Sequence, residues 1–169
     1  MNSNDTLRAF KGLGEEAIAL LAFQDTEEYR VIRGHIMIER LLDDLLEHNL
    51  KGYNKLVRKH RIYFDLKVDL CLALGLMTER LGNALHILNR IRNRISHEKN
   101  PEISQNEIKR LNTKFYKEPM FQKALEFVYK EGYKDALMLS TLLLYWEVAR
   151  LVTNANSKTN NTFEEEKQN

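Results

Sequence analysis

Apolar residues in this chain recur at helical spacing, and this pattern constrains the fold more than any other feature of the sequence. Between positions 38 and 46 they fall at i, i+3, i+4, i+7 and i+8, which places them in one stripe along a long helix. Only 7 of the 169 residues are Gly and 2 are Pro, too few for the many tight turns of an all-β sandwich or barrel. We therefore predict an all-α bundle of about five or six helices.

Capping residues and helix breakers predict where the main helices begin and end. The segment 25–28, Asp-Thr-Glu-Glu, is typical of a helix N-terminus, and the segment 49–52, Asn-Leu-Lys-Gly, is typical of a helix end. The next helix is predicted to start near Asp65. Gly75 is expected to weaken its last turn, because glycine has a low helix propensity. Another helix restarts at the segment 78–80, Thr-Glu-Arg, and must end before the proline at position 101.

The patterns toward the two ends of the chain predict further helices and a polar tail. Helices are expected over 15–23, 106–115, 120–129 and 135–154, with Pro119 separating the middle two. Residues 157–169 are predicted to be a disordered polar tail. Since no repeat and no interdomain linker is evident before that tail, residues 1–156 are predicted to form a single helical domain.

Composition limits the classes of function. A formal net charge of +2 does not by itself indicate a nucleic-acid partner, so any such partner must be argued from local clusters of charge. The single cysteine, Cys71, excludes an intrachain disulfide and a Cys-rich zinc cage. The first residues lack the pattern of a signal peptide. The apolar stretch 136–152 contains Glu147 and Arg150 and is shorter than a usual membrane span. We expect a cytoplasmic protein with no membrane partner and no cofactor.

The segment 92–97, Arg-Asn-Arg-Ile-Ser-His, is the strongest candidate for chemistry. The forked guanidinium of Arg92 suits a phosphate, and His97 can give or take a proton near neutral pH. On a helical wheel Asn93, Ser96 and His97 share a polar sector of about 140° with Arg92 at its edge. Because Asn93 and His97 are i, i+4 neighbours, Asn93 is expected to orient the imidazole through a hydrogen bond.

These residue types match the needs of RNA cleavage without a metal. The 2′-hydroxyl must lose a proton, the leaving 5′-oxygen must gain one, and the charge of the phosphorane must be stabilised. One chain supplies a single motif histidine, so this mechanism predicts a homodimer with the motif at its two-fold interface. The alternative is purely structural, because basic residues in the last turn of a helix also stabilise its dipole.

Three segments resemble the HEPN superfamily in order and spacing. The segment 92–97 is similar to its Arg-x(4–6)-His signature, including the polar residue that follows the arginine. Residues 64–77, FDLKVDLCLALGLM, resemble the corresponding helix of the branch that is similar to the mannitol-operon repressor (MltR-like). Residues 34–42, GHIMIERLL, look like the first long helix of that branch. The resemblance covers roughly residues 26–108.

This resemblance implies a dimeric helical bundle that acts as a metal-independent endoribonuclease. Such proteins commonly act as toxins of toxin-antitoxin systems or in phage defence. Arg92 and His97 would be the catalytic pair, Asn93 and Ser96 would support them, and Glu39 would line the cleft. The MltR-like branch, however, is associated with transcriptional control, and other members only bind RNA or neutralise a partner. A non-catalytic regulator and an antitoxin-type interaction protein therefore remain alternatives, with a cognate antitoxin or system protein as a possible partner.

Two further groups of residues are weaker candidates. A basic run with interleaved aromatics (Tyr53, His60, Tyr63) is either a nucleic-acid-binding surface or a solvated loop with a brief helix. The candidate nucleic-acid-binding residues are Arg94 of the motif and the five cations of this run: Lys51, Lys55, Arg58, Lys59 and Arg61. His35 and Glu39 have i, i+4 spacing suited to a metal, but no third ligand is evident. We therefore predict that His35 is a satisfied core histidine and that there is no metal site.

Overall fold

A computed structural model describes residues 26–99, 101–111 and 133–166, and these residues form six helices and no strand. The helices are α1 Glu27–Asn49, α2 Tyr53–Lys59, α3 Phe64–Ala73, α4 Glu79–His97, α5 Gln105–Leu111 and α6 Tyr133–Glu166. The predicted all-α class is therefore confirmed. The helices expected over 15–23 and 120–129 lie outside the described residues.

Helices α1 and α4 begin at the capping residues that the sequence indicates. The hydroxyl of Thr26 accepts a hydrogen bond from the backbone N–H of Tyr29, and the hydroxyl of Thr78 accepts one from Leu81. Each contact satisfies a backbone donor that the first turn of a helix leaves without a partner. α4 ends at His97 because Glu98 adopts an extended backbone. The candidate motif therefore occupies the last turns of a capped, 19-residue helix.

Gly75 ends helix α3 rather than weakening its last turn. Its φ of +67° is in the left-handed region, which favours glycine because it has no Cβ. The backbone N–H of Gly75 donates to the carbonyl of Leu72, and that of Leu76 donates to the carbonyl of Cys71. This pair of bonds is a Schellman motif, which satisfies the last carbonyls of the helix. The expectation for Gly75 was wrong because a termination signal was interpreted as a helix-interior residue.

The core lies where α1, α3, α4 and α6 meet. α1 and α6 share the most extensive contact in the described structure, while α3 and α4 both pack on α1, and α5 joins α4 to α6. The predicted apolar stripe of α1 is buried at Ile38, Leu42 and Leu46. Gly82 allows α4 to lie close to α3, because a Cβ at this position would come within 2.7 Å of the side chain of Leu72. The side chains of α4 that do not face this core are therefore available for a site.

Helix α6 contains the most apolar stretch of the chain. Residues Ala136–Ala155 are long and apolar enough to cross a membrane by length and composition, but 56% of the apolar window is buried within the fold. Such burial is that of a core helix. Side chains of α6 are described as far as Ala155, and beyond it the polar segment continues as helical backbone to Glu166.

Candidate active site at the C-terminal end of α4

The last turns of α4 present a polar face to solvent. Leu88, Ile91 and Ile95 are buried and attach the helix to the core, as the helical wheel predicts. On the other side, Asn93, Ser96 and His97 are exposed. Since the buried residues fix the rotation of α4, the amphipathic pattern itself determines that these polar side chains point outward.

Asn93 contacts Arg92 and not His97. The Nη1 of Arg92 donates a hydrogen bond of 2.9 Å to the Oδ1 of Asn93. The predicted role of Asn93 is therefore corrected: its carboxamide oxygen orients the guanidinium instead of the imidazole. A guanidinium carries several donors. Arg92 therefore keeps others for a phosphate after this contact is made.

Within one chain Arg92 and His97 point in different directions. Five residues along a helix correspond to a rise of about 7.5 Å and a rotation of about 140°. Arg92 is half-buried on the side of α4 near His35 of α1, while His97 projects into solvent at the end of the helix. The chain therefore does not bring the two predicted catalytic groups to one point.

His35 lies in the core behind Arg92 and is neutral. It is 2% exposed, its ring stacks on Phe64 at 4.0 Å, and its Nε2 lies 2.9 Å from the Oδ1 of Asn89. Burial, aided by the positive charge of Arg92, lowers the pKa of His35 to about 4. The prediction of a core histidine is confirmed for its position. Only one ring nitrogen is satisfied, since Nδ1 is buried without a hydrogen-bond partner, as is the Nε of Arg92.

A chain of hydrogen bonds leads from His35 through α4 to α3 and reaches the surface. The Nδ2 of Asn89 donates to Asp65 at 2.8 Å, and the other oxygen of Asp65 lies 2.8 Å from the Nδ1 of His86. The Nε2 of His86 is 3.2 Å from Asp69. Two carboxylates thus flank one imidazole. Since Asn89 accepts from His35 and donates to Asp65, it fixes the His35 proton on Nε2.

This hydrogen-bonded chain was not predicted from the sequence. Two signals could have indicated it. Asn89 interrupts the apolar face of α4 one position after Leu88, and Asp65 and Asp69 have i, i+4 spacing on a helix that packs against α4. A polar residue at a core position needs a partner. The pattern therefore predicts that some partner exists, although it does not identify which one.

Glu39 belongs to an ion cluster between α1 and α3. The buried Nζ of Lys67 lies 2.9 Å from Glu39 and 2.8 Å from Asp43, and the hydroxyl of Tyr53 donates to Asp43 at 2.6 Å. Burial, together with its hydrogen bond to Asp43, raises the pKa of Tyr53 above its usual range. Tyr53 is only 2% exposed, so this aromatic residue of the basic run is not accessible for stacking on a base. Glu39 is thus occupied by a structural ion pair.

The cations of the basic run between α1 and α3 are exposed. The structure confirms a loop with a brief helix, α2, and all five of its predicted nucleic-acid-binding residues lie at the surface: Lys51, Lys55, Arg58, Lys59 and Arg61. The guanidinium of Arg61 lies 5.1 Å from the centre of the Tyr63 ring, and Tyr63 is 63% exposed. This surface therefore offers cations and one accessible aromatic ring.

Arg94 fastens α5 to α4. Its Nη2 lies 2.7 Å from Glu107, which also accepts hydrogen bonds from the backbone and hydroxyl of Ser104. Burial pushes the pKa of Glu107 upward, but the Ser104 donors and Arg94 outweigh this effect and hold that pKa below its ordinary value. Arg94, predicted to contact nucleic acid, is thus engaged by a carboxylate in this structure.

Metal-ion chemistry and cysteine chemistry have little support among the described residues. No group of three His, Cys, Asp or Glu side chains is placed to hold a metal ion in the described ranges. The thiol of Cys71 is buried, and burial raises its pKa to about 12, so it is a poor nucleophile.

Comparison with known protein families, with curated proteins and with solved structures gave no match.

Proposed function

We propose that the chain is a metal-independent endoribonuclease of the HEPN type that acts as a toxin or an antiviral defence effector in the cytoplasm. The active site would be composite, with the Arg92 and His97 side chains of two copies meeting in one cleft at a homodimer interface. The observation that carries the proposal is the exposed face of Asn93, Ser96 and His97 at the end of α4, with the guanidinium of Arg92 held at its edge.

The separation of Arg92 and His97 within one chain supports a two-fold arrangement. Their Cα–Cβ bonds diverge by about 140° around the helix axis, which does not favour directing both side chains of one copy at the same phosphate. Two copies related by a two-fold axis can place the Arg92 of one beside the His97 of the other. One His97 would then take the proton of the 2′-hydroxyl while the other protonates the leaving 5′-oxygen. The Arg92 guanidinium, oriented by Asn93, would stabilise the charge of the phosphorane.

The test is cleavage of total cellular RNA in EDTA by the purified protein and its His97→Ala variant. We expect discrete fragments with 2′,3′-cyclic phosphate ends from the wild type, and a loss of at least about 100-fold in the variant because proton transfer is removed. The matched control is His48→Ala, since His48 is also an exposed histidine in the last turn of a helix. Equal cleavage by wild type and His97→Ala would contradict the proposal, as would intact RNA with a folded wild-type dimer.

The exposed cations of α2 favour a second candidate function, an RNA-binding regulator without chemistry. This function predicts RNA affinity that falls with salt and weakens when Lys55, Arg58 and Lys59 are replaced by Gln, with no cleavage product. The same RNA assay separates the two candidates, because only the nuclease yields cyclic phosphate ends. If the isolated chain neither binds nor cuts RNA, the remaining alternative is an antitoxin-type interaction protein.

A further inference from the structure

A groove runs along the outer side of α4, away from the end that carries the motif. It consists of two adjoining depressions of about 430 and 420 Å³ that share Asn83, Ile87 and Arg110. Glu79, Arg80 and Ala84 complete the first depression, and Asp65, His86 and Arg90 complete the second. Because three residues line both depressions, they form one continuous groove that follows the helix.

The groove and His97 lie on one face of α4. The exposed or half-exposed polar residues of this face recur at alternating spacings of three and four: Asn83, His86, Arg90, Asn93 and His97. Such spacing keeps side chains within a sector of about 80° over four turns of a helix. His97 is seven residues beyond Arg90, or about 10 Å along the helix axis. A chain-like ligand in the groove would therefore extend directly to His97.

The charges of the groove suit an anion. Arg80 and Arg90 are exposed, and neither forms an ion pair with any other side chain in the described parts of the structure. One of the two acidic residues of the lining, Asp65, is already bound by Asn89 and His86. The two arginines are about 15 Å apart along the helix axis, with the side chain of Ile87 between them. Guanidinium groups match the oxygens of phosphate in geometry as well as in charge.

We propose that this groove holds the phosphate backbone of a single RNA strand and leads the strand to His97. Arg80 and Arg90 would contact successive parts of the backbone. Each depression is of a size that admits a small ligand but not the width of a duplex. This inference rests on the proposed ribonuclease function. It adds that the RNA substrate is single-stranded and that the strand follows the groove. It also assigns the main phosphate contacts to α4 rather than to α2.

The test is binding of a fluorescently labelled 12-nucleotide 2′-O-methyl RNA, followed by anisotropy. This RNA cannot be cleaved through its 2′-oxygens, so binding is measured whether or not the protein is a nuclease. We expect Arg80→Gln/Arg90→Gln to raise Kd at least tenfold and to reduce the slope of log K against log salt by about 1.4, as for two lost phosphate contacts. The control, Arg40→Gln/Arg150→Gln, removes the same charge at exposed positions outside the groove and α2, and is expected to change Kd less than threefold. A second variant, Lys55→Gln/Arg58→Gln, removes the same charge from α2 and is expected to raise Kd less than the groove variant does.

Three results would overturn the inference. One is a larger loss in the α2 variant than in the groove variant. Another is an unchanged Kd in a groove variant whose circular dichroism matches the wild type. The third is equal affinity for a 12-base-pair duplex, which would exclude a single-strand path.

Binding that depends on the groove, without cleavage of unmodified RNA, would support the groove and contradict the nuclease. If the wild type does cut RNA, the groove variant is expected to raise KM at least tenfold and leave kcat unchanged.

Discussion

At the scale of single residues, the neutral His35 is the most consequential group in the core. Protonation of His35 at its buried and unpartnered Nδ1 would bring a charge into the core, and this charge would lie near the cation Arg92. The protein therefore excludes the proton instead, and its stability becomes linked to pH.

We predict that wild-type stability falls as the medium is acidified from pH 7.5 to 5.0. The folded pKa of His35, about 4, is below its unfolded value of 6.5, so the unfolded state binds the proton more readily between these values. The contribution of His35 is fully present above pH 6.5 and is lost as pH falls toward 4, by about 2 kcal/mol at pH 5.0. Urea denaturation at both pH values measures it.

The control for this prediction is His35→Gln, which can still donate to Asn89 but does not titrate. We expect its free energy of unfolding to change by about 2 kcal/mol less than that of the wild type over the same interval. An identical pH dependence in the two proteins would show that other groups carry the effect.

At the scale of helices, the junction between α3 and α4 depends on backbone geometry. Gly75 has a positive φ, and no atom lies within 4 Å of the position that a Cβ would occupy. We predict that Gly75→Ala destabilises the protein by about 1 kcal/mol, entirely through backbone strain. Gly75→Asn is expected to recover part of this loss, because asparagine tolerates the left-handed conformation. Urea denaturation of the wild type and the two variants measures their free energies of unfolding. Equal values for the wild type and Gly75→Ala would exclude strain at this turn.

The sequence predicted the helices well because their signals are local. Thr26 and Thr78 cap helices that begin at the next residue, and the apolar periodicity of α4 determined which side faces the core. The partners of polar side chains were not predictable in this way. Asn93 had two neighbours within reach, Arg92 and His97, and the periodicity could not choose between them. The contact between Asn89 and Asp65 needs the packing of α3 on α4, which no local pattern specifies.

At the scale of the whole molecule, the proposed composite site requires two copies of the chain. We predict that an equimolar mixture of wild type and His97→Ala, after subunit exchange, cuts RNA at roughly a quarter of the rate of the same total amount of wild type. Half of the dimers are then mixed and hold only one of the two His97 side chains that the cleft needs. The measurement is RNA cleavage after subunit exchange, and the control is the same mixture before exchange, for which half of the wild-type rate is expected. Half of the wild-type rate in a sample where exchange is shown to occur would contradict a site shared between copies.

The pairing of α1 with α6 also determines when this protein can fold during synthesis. The two helices make the most extensive contact in the described core, yet more than 80 residues separate Asn49 from Tyr133. At about 5 to 20 residues per second, a ribosome needs several seconds to make that interval. Through this time the apolar stripe of α1 has emerged without its main partner. The helices α3 and α4, which also pack on α1, emerge earlier, but the domain can complete its core only after α6 leaves the ribosome.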